Sequence, residues 1–145
     1  MPTDPVLDTI TQFTAQLRDS WNAVHASNIE IDFSKILNIV VCGMGGSALG
    51  GHIVHALTAD TLHIPIEVVS GYHVPFYVGE RTLTILSSYS GTTEETLANF
   101  MEAMDKKATA FVVTTDGMLS EYAKKYNIPS YLFDPTHNPS KQPRL

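Results

Sequence analysis

Apolar side chains at Val6, Ile10, Phe13, Leu17, Trp21 and Val24 recur every three or four residues, the spacing that lines one face of an α-helix. Asp4 followed by Pro5 supplies an N-cap and a proline at the first helical position, where its missing N–H costs nothing, so one amphipathic helix is predicted over 4–26. The pattern then changes. Ile36 to Cys42 is an almost unbroken β-favouring apolar run that stops at glycines, as a strand buried on both faces would. Further strands are predicted at Ile66–Val69, Thr82–Leu86, Ala108–Thr114 and Ser130–Phe133, and helices at Ser47–Ala59, Glu94–Lys106 and Leu119–Tyr126. Gly50 and Gly51 weaken the first of these helices unless it packs closely on the sheet. Strand and helix by turns imply right-handed crossovers, and hence an α/β three-layer sandwich: an open, mostly parallel five-stranded sheet flanked by helices.

The chain has 145 residues, 43% of them hydrophobic, enough for one domain with a core. Residues 1–134 are therefore expected to form a single domain, and 135–145, with three prolines and no periodicity, an extended tail. A formal charge of −6 argues against a nucleic-acid partner and against an anionic membrane surface. Cys42 has no partner for an internal disulfide, and no signal segment or apolar run of membrane length is present, so a cytoplasmic location is expected.

Two predicted loops carry chemistry. Gly43-Met44-Gly45-Gly46-Ser47-Ala48-Leu49-Gly50-Gly51 follows the first buried strand and opens a helix, whose unpaired N–H groups and positive dipole end suit an anion. Gly43, Gly45 and Ala48 also satisfy the dinucleotide pattern G-x-G-x-x-A, but the acidic residue expected after the second strand is missing, since that strand ends in Val69-Ser70. No lysine stands at P-loop spacing, and Leu49 occupies the last glycine of a nucleophile elbow. The plainer alternative is a tight strand-to-helix turn with no ligand. The second loop, Ser87-Ser88-Tyr89-Ser90-Gly91-Thr92-Thr93-Glu94-Glu95, has Thr92 and Glu95 at capping-box spacing. Ser88, Ser90 and Thr93, with the N–H groups around Gly91, remain as a neutral cradle for a phosphate at a helix N-terminus. Its alternative is a polar turn whose hydroxyls make only local backbone bonds.

Other candidates read as ordinary surface or core. His52 and His55 lie three apart on a helix, but no cysteine or nearby carboxylate completes a metal site, so no metal is expected. His137 reads as a solvated tail histidine, and Cys42 as a buried, inert thiol. Glu94 and Glu95 suit a helix dipole better than a catalytic base.

The two loops, together with Gln142-Pro143-Arg144 near the end of the chain, resemble the signatures of the bifunctional phosphoglucose/phosphomannose isomerases, in order across residues 36–145. The loops alone resemble a sugar isomerase (SIS) domain. The resemblance implies interconversion of glucose 6-phosphate or mannose 6-phosphate with fructose 6-phosphate, with no metal or organic cofactor. It implies that Ser88, Ser90 and Thr93 bind the phosphate, that Gly45, Gly46 and Ser47 line the sugar site, and that Arg144 stabilises an enediolate at the reacting carbons. Thr92 departs from the family, which commonly has asparagine there. Family members have two SIS domains, and the glutamate base, ring-opening histidine and lysine come from the second. This chain is similar to the first, so a homodimer or association with a second SIS domain is expected, covering the apolar face of the N-terminal helix. The rival readings are a free-standing sugar-phosphate-sensing SIS module and a small dinucleotide-binding domain.

Overall fold

A computed structural model describes residues 5–27 and 29–134. The elements run α1 (Pro5–Thr11), α2 (Phe13–Ala26), a 3₁₀ turn (Phe33–Lys35), β1 (Asn38–Cys42), α3 (Gly46–Thr58), β2 (Ile66–Val69), β3 (Thr82–Ser88), α4 (Glu94–Asp105), β4 (Thr109–Thr114), α5 (Gly117–Lys125) and β5 (Ser130–Leu132). The expected N-terminal helix is parted at Gln12, although the Gln12 N–H still bonds the Asp8 carbonyl at 3.2 Å and the Gln12 carbonyl still accepts from Gln16 at 3.0 Å. The expected cap at Asp4 and the tail from Pro135 to Leu145, Arg144 and His137 included, lie outside the described residues.

The five strands among the described residues form one sheet in the order β2-β1-β3-β4-β5, each pairing parallel. The connection from β1 moves to one side and those from β3 and β4 to the other, so right-handed crossovers place α3 on one face and α4 and α5 on the opposite one. On the α4/α5 face, Val40, Cys42, Leu86, Ala110 and Val112 of the sheet pack with Phe100, Ala103, Leu119 and Ala123 of the helices. Val74 and Val78, from the long β2–β3 connection, close the same core where no helix lies. On the α3 face, Gly51 lies so close to Val41 and Val68 that a Cβ there would stand 2.9 Å from Val41 Cγ1 and 3.2 Å from Val68 Cγ2. Close packing thus accounts for Gly51 but not for Gly50, which faces open space.

The amphipathic face predicted for the N-terminal helix is present but open: Ile10 is 64%, Leu17 58% and Trp21 67% exposed. No helix among the described residues is long and apolar enough to cross a membrane.

Candidate functional site

The sheet changes winding direction between β1 and β3, which pair as Asn38–Cys42 against Thr82–Leu86. At such a switch point the two following connections part to opposite faces and leave a crevice beyond the carboxyl ends of the strands. The glycine turn after β1 and the hydroxyl-rich loop after β3 flank that crevice.

Gly45, the residue before α3, has φ +54° and ψ −124°, which a side chain rarely tolerates, and Gly46 opens the helix. Gly43 has no room either: a Cβ would lie 3.0 Å from the carbonyl oxygens of both Ser47 and Ser87. The glycines thus let the turn press against the end of β3. Ser47 makes the tie specific, its Oγ accepting the Tyr89 N–H at 3.1 Å. On the other flank, Ser70 Oγ donates to the Gly43 carbonyl at 2.9 Å.

In the second loop, Ser88 is the last residue of β3 and is almost fully buried. Its Oγ accepts the Gly91 N–H at 3.1 Å and shares a 2.8 Å hydrogen bond with Thr93 Oγ1. Thr93 is the residue before α4, yet its hydroxyl makes no capping bond. The capping box expected from Thr92 and Glu95 therefore does not form: the helix starts at Glu94 as expected, but Thr93 rather than Thr92 stands before it, and Thr92 bonds Ser90 Oγ through both its N–H (3.3 Å) and its hydroxyl (3.2 Å). Ser90 is exposed, Thr93 half-buried and Ser88 beneath them. The three hydroxyls stand at the open N-terminus of α4, where backbone N–H groups and the helix dipole favour an anion.

Glu94 and Glu95 occupy the first turn of that helix. Glu94 Oε2 accepts from the Tyr72 hydroxyl at 3.3 Å, so this carboxylate is engaged by the loop after β2. The two carboxylates, Glu95 first, push the Tyr72 phenol above its ordinary range. His52 and His55 are exposed on α3. Cys42, ending β1 below the glycine turn, is pushed up to about 12 by burial and, less, by the charge of Glu102, so its sulfur is a thiol and no nucleophile.

Several residues that hold the site escaped the reading of the sequence. The Tyr89 carbonyl accepts from the Thr115 hydroxyl at 2.7 Å, so the Tyr89 peptide is strapped to the glycine turn on one side and to the β4–α5 turn on the other. Gly91, at φ +67°, and Gly117, at φ +78°, pack backbone to backbone, and the Leu119 N–H in the first turn of α5 donates to the Gly91 carbonyl at 2.9 Å. A glycine directly after an apolar strand, at Thr114-Thr115-Asp116-Gly117, was the available signal. Asn99 of α4 donates to the Gly71 carbonyl at 2.9 Å and had none.

The family model described as phosphoglucose isomerase matches residues 3–122. The chain is 34% identical to the bifunctional phosphoglucose/phosphomannose isomerase of Caldicellulosiruptor bescii over 120 residues, covering 83% of this chain and 35% of that protein. It is 43% identical over 84 residues to the protein of the same description from Thermoplasma acidophilum, covering 58% of this chain and 26% of that protein. Among solved structures, the tagatose-6-phosphate ketose/aldose isomerase of Escherichia coli shares the fold, with a TM-score of 0.60 and 23% identity over 72% of this chain and 31% of that one. The chain thus spans between about a quarter and a third of the length of these two relatives. A matched model over most of its length, on a parallel sheet with both signature loops at its switch point, makes this chain a member of the phosphoglucose isomerase family.

Proposed function

We propose that this chain is the sugar-phosphate-binding half of an aldose–ketose isomerase that interconverts glucose 6-phosphate or mannose 6-phosphate with fructose 6-phosphate. The observation that carries the reading is the Ser47–Tyr89 bond, which joins the glycine turn and the hydroxyl cradle into one crevice mouth in a chain of this family. Ser90 and Thr93 meet the phosphate directly, together with the first N–H groups of α4. Ser88 acts through the hydroxyl that it shares with Thr93: when Ser88 donates to Thr93, the Thr93 proton is free for a phosphate oxygen. Gly45, Gly46 and Ser47 line the sugar. The cradle's hydroxyls are neutral and the first turn of α4 carries the carboxylates of Glu94 and Glu95, so a phosphate is selected through aligned donors and dipole rather than through cations.

Aldose–ketose exchange moves a proton between adjacent carbons through an enediolate, which needs a base and a stabilising positive charge. Arg144 supplies the charge in this reading. The base comes from a second SIS domain to which residues 135–145 lead, while 1–134 form the first, and the protein works in the cytoplasm without a metal or organic cofactor. The open apolar face at Ile10, Leu17 and Trp21 supports self-association of the chain. Size-exclusion chromatography with light scattering is expected to show a dimer that Leu17→Lys disrupts; a monomeric parent would contradict the association.

The functional reading is tested by competition for the crevice, followed by amide NMR shifts. Fructose 6-phosphate is expected to shift the amides of Ser47 and of Ser88–Thr93, and unphosphorylated fructose and NAD are expected to leave them in place. Shifts produced by NAD and not reversed by fructose 6-phosphate would overturn the reading in favour of a dinucleotide site.

A further inference from the structure

We propose that Asn99 is a positioning residue for the sugar side of this site, acting through the loop after β2; the inference rests on the sugar-phosphate reading above. Asn99 lies in the middle of α4 and is 1% exposed. Its Nδ2 donates to the Gly71 carbonyl at 2.9 Å, while its Oδ1 is buried with no partner among the described residues. A half-satisfied amide inside a helix is a poor choice for stability alone, because asparagine is a weak helix former and a buried acceptor without a donor is destabilising. A leucine of similar size avoids both penalties. What the amide supplies is the clamp on Gly71.

That clamp leads to the glycine turn. Gly71 follows Ser70, whose Oγ donates to the Gly43 carbonyl at 2.9 Å, and the Gly43 N–H donates to the Val69 carbonyl at 3.1 Å. Val69–Gly71 is thus bonded to α4 on one side and to the first residue of the turn on the other. The same helix and the residue after it continue the grip, with Glu102 Oε2 accepting the Val74 N–H at 3.0 Å and Lys106 Nζ donating to the Pro75 carbonyl at 3.3 Å. Gly43 is the first residue of the turn, so a displacement of Val69–Gly71 passes to the turn through the Ser70–Gly43 and Gly43–Val69 bonds. One helix therefore carries the phosphate cradle at its N-terminus and, from its middle, sets the place of the turn that faces the sugar.

The test uses two cuts in the same chain of bonds, Asn99→Leu and Ser70→Ala, with fructose 6-phosphate and inorganic phosphate as probes in NMR titrations of the whole chain. Each variant is expected to weaken fructose 6-phosphate binding about fivefold, the size of one lost hydrogen bond. The double variant should be little worse than the weaker single one, since both cut one path. Inorganic phosphate, which needs only the cradle, should bind all four proteins within about twofold of one another, a difference too small for one lost bond. Variants that bind fructose 6-phosphate as the parent does, or that lose both ligands in parallel, would overturn the positioning role while leaving the site reading intact. A parent chain that binds inorganic phosphate or nothing, and no fructose 6-phosphate, would overturn the underlying reading as well.

Discussion

Ser47 Oγ accepts the Tyr89 N–H at 3.1 Å, joining two loops that are 42 residues apart in the chain. The bond ties the turn that opens α3 directly to the segment that leads into α4. Ser47→Ala removes the acceptor of this bond between the two loops. The variant is expected to lose about 1 kcal/mol of stability, a typical net hydrogen bond, read as a lower urea midpoint at unchanged slope. An unchanged midpoint would show that the tie contributes nothing.

Gly91 is fixed by backbone rather than by chemistry. Its φ of +67° disfavours a side chain, and a Cβ would run into the Asp116 carbonyl oxygen. Gly91→Ala should therefore cost at least about 2 kcal/mol, and Asp116→Ala should not rescue it, because the obstructing atom is main chain. Wild-type stability in Gly91→Ala would mean that the β3–α4 and β4–α5 turns separate easily.

Neighbouring glycines of α3 are expected to respond with opposite signs. Gly50 faces open space, so Gly50→Ala should stabilise by about 0.5–1 kcal/mol through helix propensity. Gly51 lies against Val41 and Val68, so Gly51→Ala should destabilise by about 1–3 kcal/mol through overpacking. Thermal melts of the two variants decide it, and equal shifts would contradict the packing of α3.

The alternation of elements was legible because β1 and β4 are apolar on both faces and the helices repeat every three or four residues. What escaped lies where hydrogen bonding departs from hydropathy. The expected end of β3 was Leu86, where the apolar run stops, yet the strand continues through Ser87 and Ser88, which pair with Val113 and Thr114. The expected capping box failed because Thr93 and Thr92 turn their hydroxyls to Ser88 and Ser90. Residues of both candidate loops were visible from composition. Their supports, Ser70, Asn99, Thr115 and Gly117, act across 27, 28, 26 and a comparable number of residues, and no local spacing encodes such pairs.

Alkaline pH should weaken the fold. The Cys42 thiol ionises at about 12 in the fold, through burial and then Glu102, against an ordinary value of 9.0. The Tyr77 phenol is likewise raised from 10.0 to about 12, by burial and then by its 2.6 Å hydrogen bond to Glu67. Both groups hold their protons more tightly when folded, so their contribution is complete below pH 9 and is lost as pH rises toward 12. Urea midpoints should fall from pH 9 upward, less steeply in Cys42→Ala, and the native thiol should resist a disulfide reagent at pH 8 that labels the unfolded chain. Rapid labelling of the native protein would refute the burial.

A calorimetric titration of this chain with fructose 6-phosphate, beside unphosphorylated fructose and the Ser88→Ala variant, tests whether the two loops form one phosphate-binding site. The two-loop site predicts saturable binding that requires the phosphate and falls at least about tenfold in Ser88→Ala, because the loss of one hydroxyl removes the partner of Thr93 and one of the two bonds of the Gly91 N–H. Absence of binding at millimolar ligand, or binding that fructose matches and Ser88→Ala leaves unchanged, would contradict it.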